Sequence, residues 1–321
     1  MKPLSSVSID LDNKWSYMKT HGDRGWEELP SYLDELLPRV LDFFHARNLP
    51  LTCFIVGLDA AQEKNKEALS LIVAAGQEVA NHSFHHEPWL HRYSPEKVRD
   101  EINRSQDAIE QATGVRPSGF RGPGFSCSTQ VLRFLAEGGF SFDASTFPTY
   151  LGPAARAYYL MTSGLSREER KKREHLFGTM GDGLRPLRPY YWQLGEQAQL
   201  LEIPVTTFPV VKSPFHLSYV LYLSSFSEAV ANAYFRSALI ACKTANIEPS
   251  LLLHPLDFLG NDDVQGLDFF PGMALPGSLK RERVSHYLAL MGEVFEISSM
   301  GQHAQAVRAR PGVPYREPDF D

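Results

Sequence analysis

The chain has 321 residues, 43% of them hydrophobic and 22% charged, with a net charge of −6. That supplies a large core, and the acidic balance leaves no basic excess to neutralise phosphates, which excludes nucleic acid as a partner. Three cysteines, Cys53, Cys127 and Cys242, without a CxxC pair exclude a disulfide framework and a cysteine zinc site.

The N-terminal MKPLSSVSIDLD enters a polar, strand-like segment at once. It has no apolar h-region, so no signal peptide is expected. No run of about 18 apolar residues follows, so no membrane span is expected either. The compartment expected on these grounds is the cytoplasm.

Strand patterns occur at 5–10, 51–57, 78–82, 119–122, 140–146, 200–205, 250–256 and 294–300. Helical patterns lie between them, at about 38–47, 59–75, 128–138, 226–245 and 279–292. The clearest opens on Ser94-Pro95, puts Val98, Ile102, Ile109 and Ala112 on one face and stops at Gly114. Strand–helix alternation means parallel strands joined by right-handed crossovers. The expected fold is α/β: a single distorted (β/α) barrel of about seven strands over residues 1–300, with an open doubly wound sheet as the alternative.

Three stretches break the rhythm. Residues 147–199 hold no clean βα unit and read as an insertion over the barrel mouth, including a loop-like GDGLRPLRPYYW (181–192) and a mixed-charge, solvated SREERKKREH (166–175). FHLSYVLYLSSF (215–226) is apolar but too short to span a bilayer, so it reads as core packing, with peripheral membrane contact as the rival. Residues 301–321 read as an irregular surface strap.

In a parallel barrel the functional side chains gather at the C-terminal strand ends. Asp10, Asp12, His82, Arg121, Asp143 and His254 all interrupt apolar runs at such ends, where a charge is costly as filler. Asp10-Leu11-Asp12 sets two carboxylates on one side of a strand. In HSFHH, His82 and His86 stand at i and i+4. Asp12, His82 and His86 would make a two-histidine, one-carboxylate face for a divalent metal, zinc first, with open positions. Asp10 would then be a base, Arg121 would hold it charged and oriented, and His254 would protonate a leaving group. An iron oxygenase would use the same ligand triad. His85 reads as a neighbour of the ligands, and Asp143 as structural.

These stretches, with TCFIVG, GQEVANHSFHH, GFRGPGF, FDASTFP, LEIP and LLLHP in the same order, resemble the polysaccharide deacetylases, the NodB-homology group. The resemblance spans about residues 5–300. The intervening Leu11 resembles the branch with allantoinase-like and lipid-linked-sugar deformylase members. The resemblance implies Asp10 as base, Asp12, His82 and His86 as metal ligands, Arg121 tuning the base, and His254 as acid. It also implies that Pro123, Gly124 and Phe125 shape the substrate site, with a backbone N–H near Gly124 for the oxyanion. The family's acidic residue beside the acid histidine has no clear match here, and Asp257 is the stand-in.

The activity expected is metal-dependent removal of an N-acyl group, acetyl first, from an amino sugar, free or on a nucleotide or polyprenyl carrier at the inner membrane surface. Hydrolysis of other non-peptide C–N bonds and a catalytically silent sugar-binding role are the rivals. Tyr158, Tyr159, Tyr190, Tyr191 and Trp192 would face sugar rings, and Arg185 and Arg188 a phosphate. No feature fixes an oligomeric state.

Overall fold

A computed structural model describes residues 2–152, 180–196 and 198–320. Among these, ten strands form one sheet, in the order β10-β6-β7-β5-β4-β3-β2-β1-β8, with β9 pairing β1. The strands are β1 Leu4–Asp10, β2 Thr52–Ile55, β3 Glu78–Asn81, β4 Gly119–Phe120, β5 Phe142–Asp143, β6 Tyr190–Gln193, β7 Gln199–Glu202, β8 Ser250–Leu253, β9 Glu296–Ser298 and β10 Tyr315–Arg316. Every pairing is parallel except β6 with β7. The run from β8 through β1 to β5 and β7 is the expected set of barrel strands. Its two ends meet where the Thr206 N–H donates to Ser250 O at 3.1 Å and the Ser250 N–H to Thr206 Oγ1 at 2.9 Å, with no strand ladder across that seam among the described residues.

The helices that matter for the site are α1 Lys14–His21, α2 Leu33–His45, α3 Gly57–Ala60, α4 Glu63–Ala74, α5 Pro95–Thr113, α6 Thr129–Glu137, α7 Leu217–Phe226, α8 Glu228–Thr244, α9 Gly277–Val294 and α10 Met300–Arg308. Helix α5 shows why the sequence folds this way. The Ser94 side chain accepts the Lys97 N–H, Pro95 occupies the first turn, and Gly114 ends the helix at φ 76° with its N–H on Glu110 O. Its buried face carries Val98, Ile102, Ile109 and Ala112, and truncating any of the three larger residues costs about 1–5 kcal/mol.

Three expectations change. The helix expected from Pro38 begins at Leu33, with Pro38 inside it, because Leu33, Leu36 and Leu37 extend the buried stripe N-terminally. The loop-like 181–192 ends in a strand, since Tyr190–Gln193 pairs antiparallel with β7. The C-terminal strap is not irregular throughout. Ser299 and Gln302 form a reciprocal cap that starts α10, and Tyr315–Arg316 adds a strand beside β6. Within FHLSYVLYLSSF, Leu217, Val220 and Leu221 of α7 join the main core, as the packing reading expected, while Phe226 stays exposed. Among the described residues no helix is long and apolar enough to cross a membrane. Segments 157–161, with Tyr158 and Tyr159, and 166–175 lie outside the described residues.

Candidate metal and catalytic site

Parallel register brings the strand ends to one level. Ile9 pairs Leu253 and Asp10 pairs Phe54, so His254 follows β8 beside Asp10. Asn81 pairs Phe120, so His82 and Arg121 are likewise neighbours. Asp10, Asp12, His82, His86, Arg121 and His254 therefore come from one end of the barrel, the mouth.

Asp12, His82 and His86 each offer a ligand atom, and these atoms lie within 4.8 Å of one another. The two rings are separately oriented. His82 Nδ1 donates to Arg121 O at 2.7 Å, which leaves the Nε2 lone pair as the ligand. His86 reaches back because its backbone is left-handed, φ 54°, in a turn where Ser83 also has φ 60°. A non-glycine residue there is strained and needs outside support. Glu101 of α5 supplies it: Oε2 accepts the Phe84 and His85 N–H groups, and Oε1 pairs with His85 Nδ1. His85 is thus a brace for the turn.

Asp12 Oδ1 lies 2.9 Å from His86 Nε2 and 3.5 Å from His82 Nε2. It is nonetheless a buried oxygen without a hydrogen bond of good geometry. The ring nitrogens and the oxygen are close but not aimed at one another, which is what donors sharing one central cation require. The residues therefore fit a divalent metal with nitrogen and oxygen preferences. Burial opposes ionisation of Asp12, yet His86 and His82 outweigh it and hold the carboxyl well below its usual range. Burial likewise opposes charging His82, and Asp10 and Asp12 reverse that and raise it.

Asp10 stands beside this cluster, with Oδ2 3.9 Å from His82 Nε2. Arg121 Nη1 pairs with Asp10 Oδ1 at 2.6 Å and also donates to Ser8 Oγ, while Nε donates to Ala144 O. The guanidinium is fully buried and lies over the Phe54 ring, so its position, and with it that of the Asp10 carboxylate, is fixed by packing. Next to it, Pro123–Phe125 form a single 3₁₀ turn. A side chain at Gly122 would meet Ser126 O at 2.0 Å, which is why glycine precedes the turn. The Phe125 and Ser126 N–H groups are spent on Gly122 O and Pro123 O.

His254 presents a different environment. Its backbone N–H goes to Asp257 Oδ2 at 2.8 Å and its Nδ1 lies 3.0 Å from Ser218 Oγ. Asp257 is therefore near His254, and its carboxylate accepts from the backbone N–H of that residue. A wall of rings runs from Phe125 stacked on Phe147, through His216, to His254. Burial and His254 push His216 down to about 3, so it stays neutral. The Tyr17 hydroxyl is buried without a hydrogen-bond partner, and burial, Asp12 and Tyr32 raise it well above the usual phenol value. His216, Ser218, Phe147 and Tyr17 escaped sequence reading. His216 and Ser218 sit inside a stretch dominated by apolar residues, and nothing in the pattern separated them from core.

Of the residues expected to read sugar and phosphate, five are described, and each has a partner; Tyr190 is fully buried and packs edge-on against Trp192. Trp192 is fully buried and its indole N–H donates to Glu202 Oε2 at 2.9 Å. Glu202 needs that donor: burial and the nearby Asp143 raise its carboxyl well above the usual range. Asp143 is structural, taking the Ser145 hydroxyl at 2.5 Å. Tyr191 stacks on Tyr315. Arg185 is buried and paired with Asp182 and Asp319. Arg188 donates to Ala245 O, which precedes β8 and so lies at the end opposite the mouth. These side chains have buried or neighbouring partners.

The family model for polysaccharide deacetylase matches residues 23–142. The chain is 28% identical over 149 residues to a peptidoglycan deacetylase of Helicobacter pylori, covering 44% of this chain and 49% of that protein. It is 35% identical over 103 residues to a chitooligosaccharide deacetylase of Bradyrhizobium sp., covering 32% and 46%. The chain spans about half the length of the curated relatives it matches. A solved structure from Mycobacterium smegmatis, provisionally assigned as a polysaccharide deacetylase, superposes with a TM-score of 0.63 at 20% identity over 98% of this chain and 93% of that one. That likeness speaks for the fold.

Proposed function

We propose that the chain, which matches the polysaccharide deacetylase, or NodB-homology, family over residues 23–142, removes an N-acyl group, acetyl first, from an amino sugar. Asp12, His82 and His86 hold a divalent cation, zinc by donor type. The observation that carries the reading is the convergence of those three groups beside the buried Asp10–Arg121 pair. When bound, the cation supplies Lewis-acid polarisation of the amide carbonyl and a lowered pKa for water.

The chain's own residues do the rest. Asp10 takes a proton from the attacking water, and Arg121 keeps its carboxylate aimed at the mouth. The water oxygen bonds to the acyl carbon as the C–N bond breaks. His254 gives a proton to the departing nitrogen, so amine and carboxylate leave in balance. The turn Pro123–Phe125 carries the N–H group, at Gly124, that serves the oxyanion. Phe125 and Phe147 exclude water beside it.

The test is amine release from N-acetyl, N-formyl and N-propionyl sugars, free, phosphorylated and polyprenyl-linked, with small linear and cyclic amides alongside and metal content measured on the same sample. Turnover of an N-acyl sugar that rises with metal content supports the reading. Turnover confined to non-sugar amides would replace it with the allantoinase-like reaction that the Asp10-Leu-Asp12 spacing resembles.

A further inference from the structure

His216 stands just before α7, where a short polar side chain normally caps the free N–H groups of a helix. Serines fill that position at other helices: Ser94, Ser128, Ser227 and Ser299 each accept an N–H, at the starts of α5, α6, α8 and α10. The His216 side chain caps nothing. Only its backbone serves the helix, with His216 O accepting the Tyr219 and Val220 N–H groups. Departures of this kind from local preference gather at functional positions.

The ring is held by other rings instead. Its centroid is 5.8 Å from Phe147, 6.3 Å from Tyr219 and 6.0 Å from His254. Phe147 in turn stacks on Phe125 at 4.6 Å, so the imidazole is a polar link in the wall between the Pro123–Phe125 turn and His254. Nδ1 is buried without a hydrogen-bond partner, while His216 as a whole is only half-buried, so Nε2 is the nitrogen left open. Burial and the neighbouring His254 keep the ring uncharged. A neutral imidazole is a weak partner for a phosphate or carboxylate, whose strong hydrogen bonds come from cations. It offers one donor and one acceptor, and a hydroxyl, which both donates and accepts, complements either tautomer.

We infer that His216 is a substrate-binding residue whose Nε2 hydrogen-bonds a hydroxyl on a carbon next to the one that bears the amide. The placement follows from His254. The ring that protonates the departing nitrogen stands beside that nitrogen, and the 6.0 Å to its neighbour in the wall suits the adjoining polar atom of the same substrate. In a 2-acylamino sugar the adjoining carbons are C1 and C3. His216 thus selects N-acyl sugars with a free vicinal hydroxyl over simple amides. This role presupposes the proposed N-acyl sugar reaction, with His254 as proton donor.

The experiment uses the full-length chain carrying Asp10→Asn and loaded with zinc, in which turnover is slow enough for binding to be measured. NMR titration gives Kd for N-acetylglucosamine, for its 1-deoxy and 3-deoxy forms, and for N-cyclohexylacetamide, which keeps ring and amide but has no hydroxyl. ¹⁵N-labelled histidine reports the His216 ring on the same samples. N-acetylglucosamine should move the His216 nitrogens, and N-cyclohexylacetamide should not. His216→Phe, which keeps the wall aromatic, should weaken binding of N-acetylglucosamine about fivefold to tenfold, the worth of one neutral hydrogen bond. Binding of N-cyclohexylacetamide should change by less than about twofold, and Tm should not fall, since Nδ1 has no bond to lose. One deoxy form should lose its sensitivity to His216→Phe, and that form names the hydroxyl. Equal effects of His216→Phe on sugar and N-cyclohexylacetamide, or sensitivity kept by both deoxy forms, overturn the role. So does a lower Tm with unchanged sugar binding, which makes the ring purely structural. If the zinc-loaded protein binds no N-acetylglucosamine, the N-acyl sugar reaction itself falls, and this role with it; binding indifferent to His216 removes the role alone.

Discussion

Histidine and carboxylate meet at both ends of the barrel, and the two meetings differ in how charge is balanced. At the mouth, His82 and His86 approach the single carboxylate of Asp12, whose Oδ1 is left without a well-aligned donor. At the opposite end, His303 of α10 lies 3.0 Å from Ser6 Oγ and 3.4 Å from Glu248. There Arg310 closes the account with two bonds to Glu248, at 2.7 and 2.9 Å. Neighbouring groups are spent as well: Thr52 Oγ1 donates to Glu78, and Glu78 accepts the Gly301 N–H that begins α10. A fixed guanidinium completes the lower cluster, so it docks the C-terminal helix under the sheet. No such cation faces Asp12 among the described residues, and the open valence there suits a metal. The same residue types thus make a structural tie or a ligand set, according to whether the fold supplies the last positive charge.

That comparison can be broken from either side. His82→Ala carries the largest expected effect: metal and turnover are lost while Tm changes by only a few degrees, because a mouth ligand does not hold the core. Metal analysis and a thermal melt check this, and full occupancy in the variant would break the ligand set. Asp10→Asn comes next. It keeps the metal and lowers kcat by about 10²–10⁴-fold, the usual worth of a general base. A near-parental rate would remove Asp10 from the chemistry.

Glu248→Gln reverses the pattern, leaving metal content and kcat unchanged and costing about 1–3 kcal/mol of stability in denaturant melts. Burial raises Glu248, but His303 and Arg310 prevail and hold it down at about 2. A carboxyl held below its unfolded value stabilises fully above about pH 4.5 and loses that contribution as pH falls towards 2. The stability gap between parent and Glu248→Gln therefore narrows over that window. A constant gap would contradict the pairing. The smallest effect is expected from Arg188→Ala, whose guanidinium bonds Ala245 O away from the mouth: KM for phosphorylated and neutral sugars should change equally, within about twofold. A selective rise for the phosphorylated substrate would support the phosphate role expected of it.

What could be read from sequence follows from how local the cause is. Helix α5 was legible because its cap, stripe and stop lie within its own residues. The mouth residues were legible because each is a polar interruption at the end of an apolar run. The burial of Trp192 was not legible because it depends on Glu202, a partner on another strand whose burial the pattern does not announce. The Arg185 ion pair was not legible either, since Asp319 is far along the chain. The C-terminal helix could have been found from Ser299 and Gln302, a spacing that signals a reciprocal cap. His216 could not, because its importance comes from the fold setting α7 against β8.

The most direct test is anomalous diffraction at the zinc edge from crystals of the protein equilibrated with zinc. The account predicts one strong peak within bonding distance of Asp12 Oδ1, His82 Nε2 and a ring nitrogen of His86, about 2.0–2.2 Å from each. A peak elsewhere, or none there at saturating zinc, would contradict it.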